Sequence, residues 1–192
     1  MYKRQSHHSH SKAFVTILRY QLGDWKPYIY RTYDNGNSWD LITEGIPVDY
    51  PVRVLREDPK REGLLFAGTE FGMFISFDDG NSWQSFQQNL PITPITDIKI
   101  HRNDVVLSTM GRSFWIMDNI NYLRNFTTND NDILYPVANT IRYRNRPSNS
   151  NHVSYPRTSV DIDYKITEES VGEILIQIMD LSLIHISEPT RP

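Results

Sequence analysis

An all-β chain of repeated four-stranded sheets is predicted by three observations. An eight-residue motif recurs 44 residues on, short apolar and aromatic runs alternate between turn residues, and no helical period of useful length competes. The motif Thr32-Tyr33-Asp34-Asn35-Gly36-Asn37-Ser38-Trp39 returns as Ser76-Phe77-Asp78-Asp79-Gly80-Asn81-Ser82-Trp83. The same offset carries Ile46-Pro47 onto Leu90-Pro91, so the repeat extends beyond the motif. A third, degraded copy begins at Thr109 and reaches Asp118, 40 residues after Asp78, without the following Gly and Trp. A period of 40 to 45 residues in a strand-rich chain predicts four-stranded propeller blades.

The complete unit is expected to place its strands at residues 52–56, 64–68, 73–77 and 82–87. The unit before it supplies strands at 13–20, 28–33 and 38–43, and the unit after it at 96–101, 105–108 and 113–117. Asp, Asn, Gly and Pro punctuate these runs, as antiparallel hairpins require. Within the motif, the short Asp34 and Asp78 carboxylates suit hydrogen bonds from nearby turn amides, and Gly36 and Gly80 suit the positive φ of a tight turn. Trp39 and Trp83 then bury a large ring beneath the turn, with Thr32 and Ser76 opening each motif. A catalytic or calcium-binding role for these carboxylates is the alternative to the structural one.

The pattern Ser/Thr-x-Asp-x-Gly-x-x-Trp resembles the Asp box (BNR repeat) of sialidases, sortilin-type receptors and related bacterial propellers. A closer resemblance is to bacterial sortilin-like or glycosyl-hydrolase-like repeat proteins, some related to a photosystem assembly factor. It is carried by Val52-Arg53-Val54-Leu55-Arg56-Glu57-Asp58-Pro59-Lys60, by Ala67-Gly68-Thr69-Glu70, by the second Asp box and by Gly111-Arg112-Ser113-Phe114-Trp115-Ile116-Met117-Asp118. It covers roughly residues 12–123. Proteins of this group often have His before the Gly-Arg-Ser-Phe-Trp segment, where this chain has Met110. The resemblance implies a propeller that binds protein or glycan, or one that hydrolyses glycosides, and it implies export to the periplasm or beyond.

Composition narrows the partners. The 192 residues carry 20 Lys+Arg against 23 Asp+Glu, a formal charge of -3, with no basic block to track a phosphate backbone, so nucleic acid is not expected. No stretch has the length or apolarity of a membrane helix. The absence of Cys excludes disulfides, thiolate zinc sites and a cysteine nucleophile. His7, His8 and His10 lack a carboxylate pattern to complete a metal site, and neither metal nor cofactor is expected.

Successive hairpin turns alternate between the two ends of an antiparallel blade, so parity assigns loops to faces. The Asp boxes share one face with residues 57–63 and 102–104. The opposite face gathers residues 23–27, 44–50, 69–72, 89–94 and 110–112, whose most capable side chains are Asp24, Trp25, Asp49, Tyr50, Glu70 and Arg112. A glycosidase needs two carboxylates flanking a sugar bond. Asp24, Asp49 and Glu70 are the candidates, while Trp25 or Tyr50 would stack on a sugar ring and Arg112 would hold a carboxylate bidentately or fasten a turn. Ordinary solvated loop residues are the competing reading. No sialidase arginine cluster or tyrosine nucleophile motif stands here.

After Trp115 the aromatic repeat stops, and residues 121–132 read as a polar connector. Strands at 138–143, 159–166 and 173–179, around a Pro, Ser and Asn-rich loop at 144–157, predict the start of a β-sandwich. Both ends carry an unusual symmetry. Leu181-Ser182-Leu183-Ile184-His185 can be encoded by CTG TCT CTT ATA CAC, whose reverse complement, started at GTG, encodes Met1-Tyr2-Lys3-Arg4-Gln5. This DNA resembles a transposon end used in sequencing adapters, and its usual extension encodes Ile186-Ser187-Glu188-Pro189-Thr190-Arg191. The expected division is therefore adapter-derived residues 1–5, propeller blades at 6–123, a linker at 124–135, a partial sandwich at 136–180, and adapter-derived residues 181–192. On this reading the chain is an internal piece of a longer gene, inactive by itself. It would act as a noncatalytic protein- or glycan-binding scaffold, or belong to a polysaccharide hydrolase with decisive carboxylates in other blades.

Overall fold

A computed structural model describes residues 2–127, 132–137, 160–166, 175–179 and 185–187. The chain divides into two compact units, Met1–Phe126 and Thr127–Pro192. Described residues are almost entirely β or irregular, with one five-residue α-helix and one 3-10 turn.

Three antiparallel sheets make up the first unit, each a meander in which chain neighbours pair. Sheet one holds β1 (Tyr2–Gln5), β2 (Ala13–Thr16), β3 (Ile29–Thr32) and β4 (Asp40–Leu41). Sheet two holds β5 (Val52–Glu57), β6 (Leu65–Thr69), β7 (Met73–Ser76) and β8 (Gln84–Ser85). Sheet three holds β9 (Ile95–His101), β10 (Asp104–Thr109) and β11 (Phe114–Met117). This is an all-β, partial propeller of two complete blades and a three-stranded third. Residues 2–5, expected to be adapter-derived, occupy in sheet one the position that β5 holds in sheet two.

The fourth strands are shorter than the sequence pattern suggests. Residues 38–43 and 82–87 were expected to be extended, yet β4 and β8 pair over two residues each. The repeated turn consumes the rest, because Ser38 and Ser82 turn back to bond the Asp34 and Asp78 carboxylates. The expected strand at 13–20 likewise ends at Thr16, and Tyr20–Leu22 forms a 3-10 turn closed by Gly23 at φ 75°.

Strand alternation feeds two cores. From sheet two, Val52, Leu55, Leu65, Ala67 and Phe74 pack with Phe14, Ile29 and Ile42 of sheet one. Their neighbours Val54, Phe66, Met73 and Ile75 pack instead with Ile95, Ile98, Val105 and Leu107 of sheet three. Sheets two and three approach closely at Gly68. A Cβ there would lie 2.7 Å from side-chain atoms of both Ile95 and Val54.

Charge also joins sheets one and two. Lys12 is buried, with Nζ 3.0 Å from Glu57 Oε1 and 2.6 Å from Asp79 Oδ1. Arg31 donates to the Asp79 carbonyl at 2.5 Å, and the Tyr33 hydroxyl donates to Asp79 Oδ2. Burial alone would depress the Lys12 ammonium, but its bonds to Asp79 and Glu57 outweigh that and raise its pKa.

The expected connector at 121–132 begins as structure. Asn121–Asn125 forms helix α1, with Ile120 and Leu123 buried in the second core. Arg124 holds the fully buried Asp58 carboxylate through Nε and Nη2, and Arg61 donates to the carbonyls of Leu123 and Phe126. Apolar and charged anchors at this spacing outweigh the polar composition that suggested a loose connector.

In the second unit, β12 (Ile133–Leu134) pairs with β13 (Tyr164–Lys165), and β14 (Ile178–Met179) pairs with β15 (His185–Ser187). The strands expected at 159–166 and 173–179 contain β13 and β14. Those expected at 138–143, and the loop at 144–157, lie outside the described residues.

Candidate functional site

The two repeated eight-residue turns have the same geometry. Asp34 Oδ1 accepts from Thr32 Oγ1 at 2.7 Å and from Ser38 N at 2.9 Å, and Oδ2 accepts from Ser38 Oγ at 2.6 Å. Asp78 accepts from Ser76 Oγ, Ser82 N and Ser82 Oγ at 2.8, 2.9 and 2.6 Å. Thr32 and Ser76 in turn accept from the amides of Gly36 and Gly80. Bonds from Ser38 hold the Asp34 carboxyl far below its usual range. Asp78 is also lowered, its bonds to Ser82 and Ser76 prevailing over desolvation. Gly36 and Gly80 take φ of 93° and 87°, as the turn demands, but Asn35 and Asp79 before them also adopt positive φ. Asp34 and Asp78 are therefore spent inside their own turns.

The tryptophans differ. Trp83 is buried between sheets one and two and donates its indole N–H to the Ile42 carbonyl at 2.9 Å. Trp39 is half-buried and donates to the Gly36 carbonyl of its own turn at 3.1 Å.

At the opposite end, the structure assembles part of the expected set. Arg53, at the start of β5, lies with Nε 2.6 Å from Glu70 Oε1 in the β6–β7 turn, at an angle outside hydrogen-bond geometry. The Arg53 guanidinium is 5.6 Å from the Tyr20 ring, which tilts against Trp25 at 5.9 Å. Tyr50 packs on Phe71 at 4.8 Å and edge-on to Phe74. A continuous group thus links Trp25, Tyr20, Arg53 and Glu70, with Trp25 47% exposed. Tyr20 and Arg53 were missed by the sequence reading; the alternation of turns could have found them, since both flank loops of this face.

Asp24 sits beside this group but is engaged. Tyr28 OH donates to Oδ2 at 2.8 Å, Lys26 N donates to Oδ1 at 3.2 Å, and Arg19 lies 3.2 Å away. The Tyr28 bond, with the Lys26 amide and the Arg19 charge, lowers the Asp24 pKa against a smaller desolvation effect. Asp49 stands exposed in the turn that Tyr50 N closes on the Pro47 carbonyl. Arg112 belongs to the β10–β11 turn, where its amide bonds Thr109 Oγ1 and its carbonyl accepts from Trp115 Nε1. Its side chain is exposed, and no contact brings it to Glu70 or Trp25. Met110 is 54% exposed.

Two cavities were not foreseen. One, of about 380 Å³, is bounded by the first strands of all three sheets and lined by Arg4, His7, Arg56, Asp97 and Lys99. Arg56 pairs with Asp97 there. The other, of about 210 Å³, is an apolar groove between Phe86, Leu90, Trp115 and Met117. None of Asp24, Trp25, Asp49, Tyr50, Glu70 and Arg112 lines either one. Among the described residues no group of His, Asp or Glu is arranged to hold a metal ion, and no helix is long and apolar enough to cross a membrane.

No protein-family profile matches the chain, and no curated protein does. Solved structures that part of the chain resembles include the following two. An ancestral GH74 enzyme aligns with a TM-score of 0.48 at 18% identity over 57% of this chain, and YCF48 bound to D1 peptide aligns with a TM-score of 0.37 at 16% identity over 58%. The chain spans 13% of the first structure's length and 37% of the second's.

Proposed function

We propose that this chain is part of an Asp-box repeat propeller that acts as a noncatalytic scaffold, presenting the loops around Trp25 and Arg53 to a protein or glycan ligand. The observation that carries this reading is the engagement of two of the three candidate carboxylates on that face: Asp24 faces Tyr28 and Arg19, and Glu70 faces Arg53, while Asp49 stands exposed. A glycosidase acid must keep its proton near neutral pH, whereas the Tyr28 hydroxyl and the Arg19 charge hold the Asp24 carboxyl below its usual range. An exposed Trp25 beside Tyr20, rimmed by an ion pair, offers an apolar platform with polar edges, which suits a sugar face or an apolar side chain.

The test is binding of the chain to glycan and peptide arrays, followed by calorimetry on the hits. Trp25→Ala is expected to weaken binding at least tenfold, about 1.4 kcal/mol. Polysaccharide hydrolysis that disappears in Asp49→Ala or Glu70→Ala would replace this reading with that of a glycoside hydrolase.

A further inference from the structure

The junction between sheets one and two and the junction between sheets two and three are built from corresponding positions. The 44-residue offset sets Ile29, Ile42 and Ile46 against Met73, Phe86 and Leu90. The backbone follows it: the Ile42 amide donates to the Ile29 carbonyl as that of Phe86 does to Met73, and Ile46 bonds Thr43 as Leu90 bonds Gln87. Between β6 and β10 the match is anchored at Thr69 and Thr109, each of which donates its amide and its Oγ1 to one carbonyl across its turn, that of Gly72 or Ser113. Leu65, Ala67 and Phe74 thereby correspond to Val105, Leu107 and Trp115, with Ala67 paired to Phe74 as Leu107 is to Trp115.

At the first junction these positions pack around an indole. Ile29, Ile42, Ile46, Leu65, Ala67 and Phe74 form one core cluster with Trp83, whose ring N–H donates to the Ile42 carbonyl. At the second junction all six counterparts line the apolar groove of about 210 Å³. Counting on from β11, Asn119 and Ile120 stand where Asp78 and Asp79 stand, and the Ile120 amide donates to Asn103 as the Asp79 amide does to Gly63. The place of Trp83 then falls to Arg124, which is turned to Asp58 and does not line the groove.

Exposure records the difference. Ile42 and Phe74 are each 6% exposed, whereas their counterparts Phe86 and Trp115 are half-buried. Leu107 and Trp115 are larger than Ala67 and Phe74, yet the groove still exceeds the volume of about 150 Å³ at which an apolar cavity admits benzene. The Phe86 carbonyl, at the Ile42 position, is the acceptor that a sequestered indole N–H needs. The seat suits a ring rather than a whole strand: a Cβ on Gly45 would lie 2.1 Å from the Trp83 carbonyl oxygen, and Asn89 stands at that place in the second unit.

From this position-by-position correspondence we infer that the groove between sheets two and three is a binding site for a tryptophan side chain presented by a peptide partner, its ring between Phe86 and Trp115 and its N–H on the Phe86 carbonyl. The loops around Trp25 contribute nothing to it, so it stands independently of the function proposed for them.

Methyl NMR of the chain labelled at the methionine Cε tests this, because Met73 and Met117 line the groove while Met110 stands exposed in the β10–β11 turn. Titration with N-acetyl-tryptophanamide is expected to give saturable ring-current shifts at Met73 and Met117, with Met110 unmoved. N-acetyl-leucinamide should bind at least tenfold more weakly, and the 1-methylindole analogue, which cannot donate, roughly threefold more weakly. Phe86→Trp, which fills the groove from a half-buried wall, should raise the dissociation constant at least tenfold with far-UV circular dichroism unchanged, whereas Trp25→Ala should leave it as it is. Absence of shifts at Met73 and Met117 in the unaltered chain, or a leucine amide that binds equally well, would overturn the site, whether or not Phe86→Trp folds. Binding lost in Trp25→Ala would overturn it too, by moving the ligand to the loops, and a 1-methyl analogue that binds as tightly would remove the Phe86 carbonyl from it.

Discussion

Two tryptophans at the same place in the repeat should contribute unequally to stability. Trp83→Phe removes the indole donor from the Ile42 carbonyl, at a side chain 5% exposed between two sheets. Leaving that buried carbonyl unpaired costs about 1–3 kcal/mol. The smaller ring also leaves a void, worth on the order of 1 kcal/mol. Trp39→Phe loses a bond within its own turn, where water can replace the donor, so its cost is about 0.5–1 kcal/mol. Urea unfolding followed by circular dichroism separates the two. With a slope of about 2 kcal/mol per molar, Trp83→Phe should lower the midpoint by roughly 1 M or more and Trp39→Phe by less than about 0.5 M. Equal shifts, or a larger one for Trp39→Phe, would refute the claim that Trp83 seals the junction between sheets one and two.

Removing the Lys12 charge by Lys12→Met strands Glu57 and Asp79 together, at a cost of about 3–5 kcal/mol, which the same urea measurement reads. Because the folded pKa of Lys12 is raised, its contribution is fully present below the unfolded value near about 10.4 and is lost as pH rises through the folded one; Lys12→Met should remove that alkaline loss from a stability–pH curve. Asp34 runs the other way: its depressed pKa makes its contribution present above about pH 4 and lost as pH falls through the folded value, so Asp34→Asn should flatten the acid limb of the same curve. Arg124→Met leaves the buried Asp58 charge with only the Lys60 and Arg61 amides as direct donors, costing about 3–5 kcal/mol, and should speed proteolytic cleavage near α1 in timed digestion.

The repeat was legible because its chemistry is local. An Asp that bonds a Ser four residues on, and a Gly at positive φ, leave a mark within eight residues, and the strands follow from alternation around them. The Lys12, Glu57 and Asp79 cluster left no such mark, since its members lie up to 67 residues apart and each alone reads as a surface charge. Helix α1 escaped for a related reason: one turn carries too little periodicity to detect, and its anchors Asp58 and Arg61 come from the distant β5–β6 loop. Of the candidate face, loop parity located Trp25 and Glu70. It could not foresee that Arg53 lies against Glu70, which depends on a side chain reaching across from β5.

Asp79 occupies the place in the second motif that Asn35 occupies in the first, and both residues have the same left-handed backbone. The turn itself is indifferent to the exchange, yet only the carboxylate collects Lys12, Arg31 and Tyr33 from the preceding sheet. The hairpins are built as interchangeable parts, but this single position works as a postal address that tells one module which neighbour to stand beside. A gene in which the two units were transposed would keep both turns and misdeliver the junction.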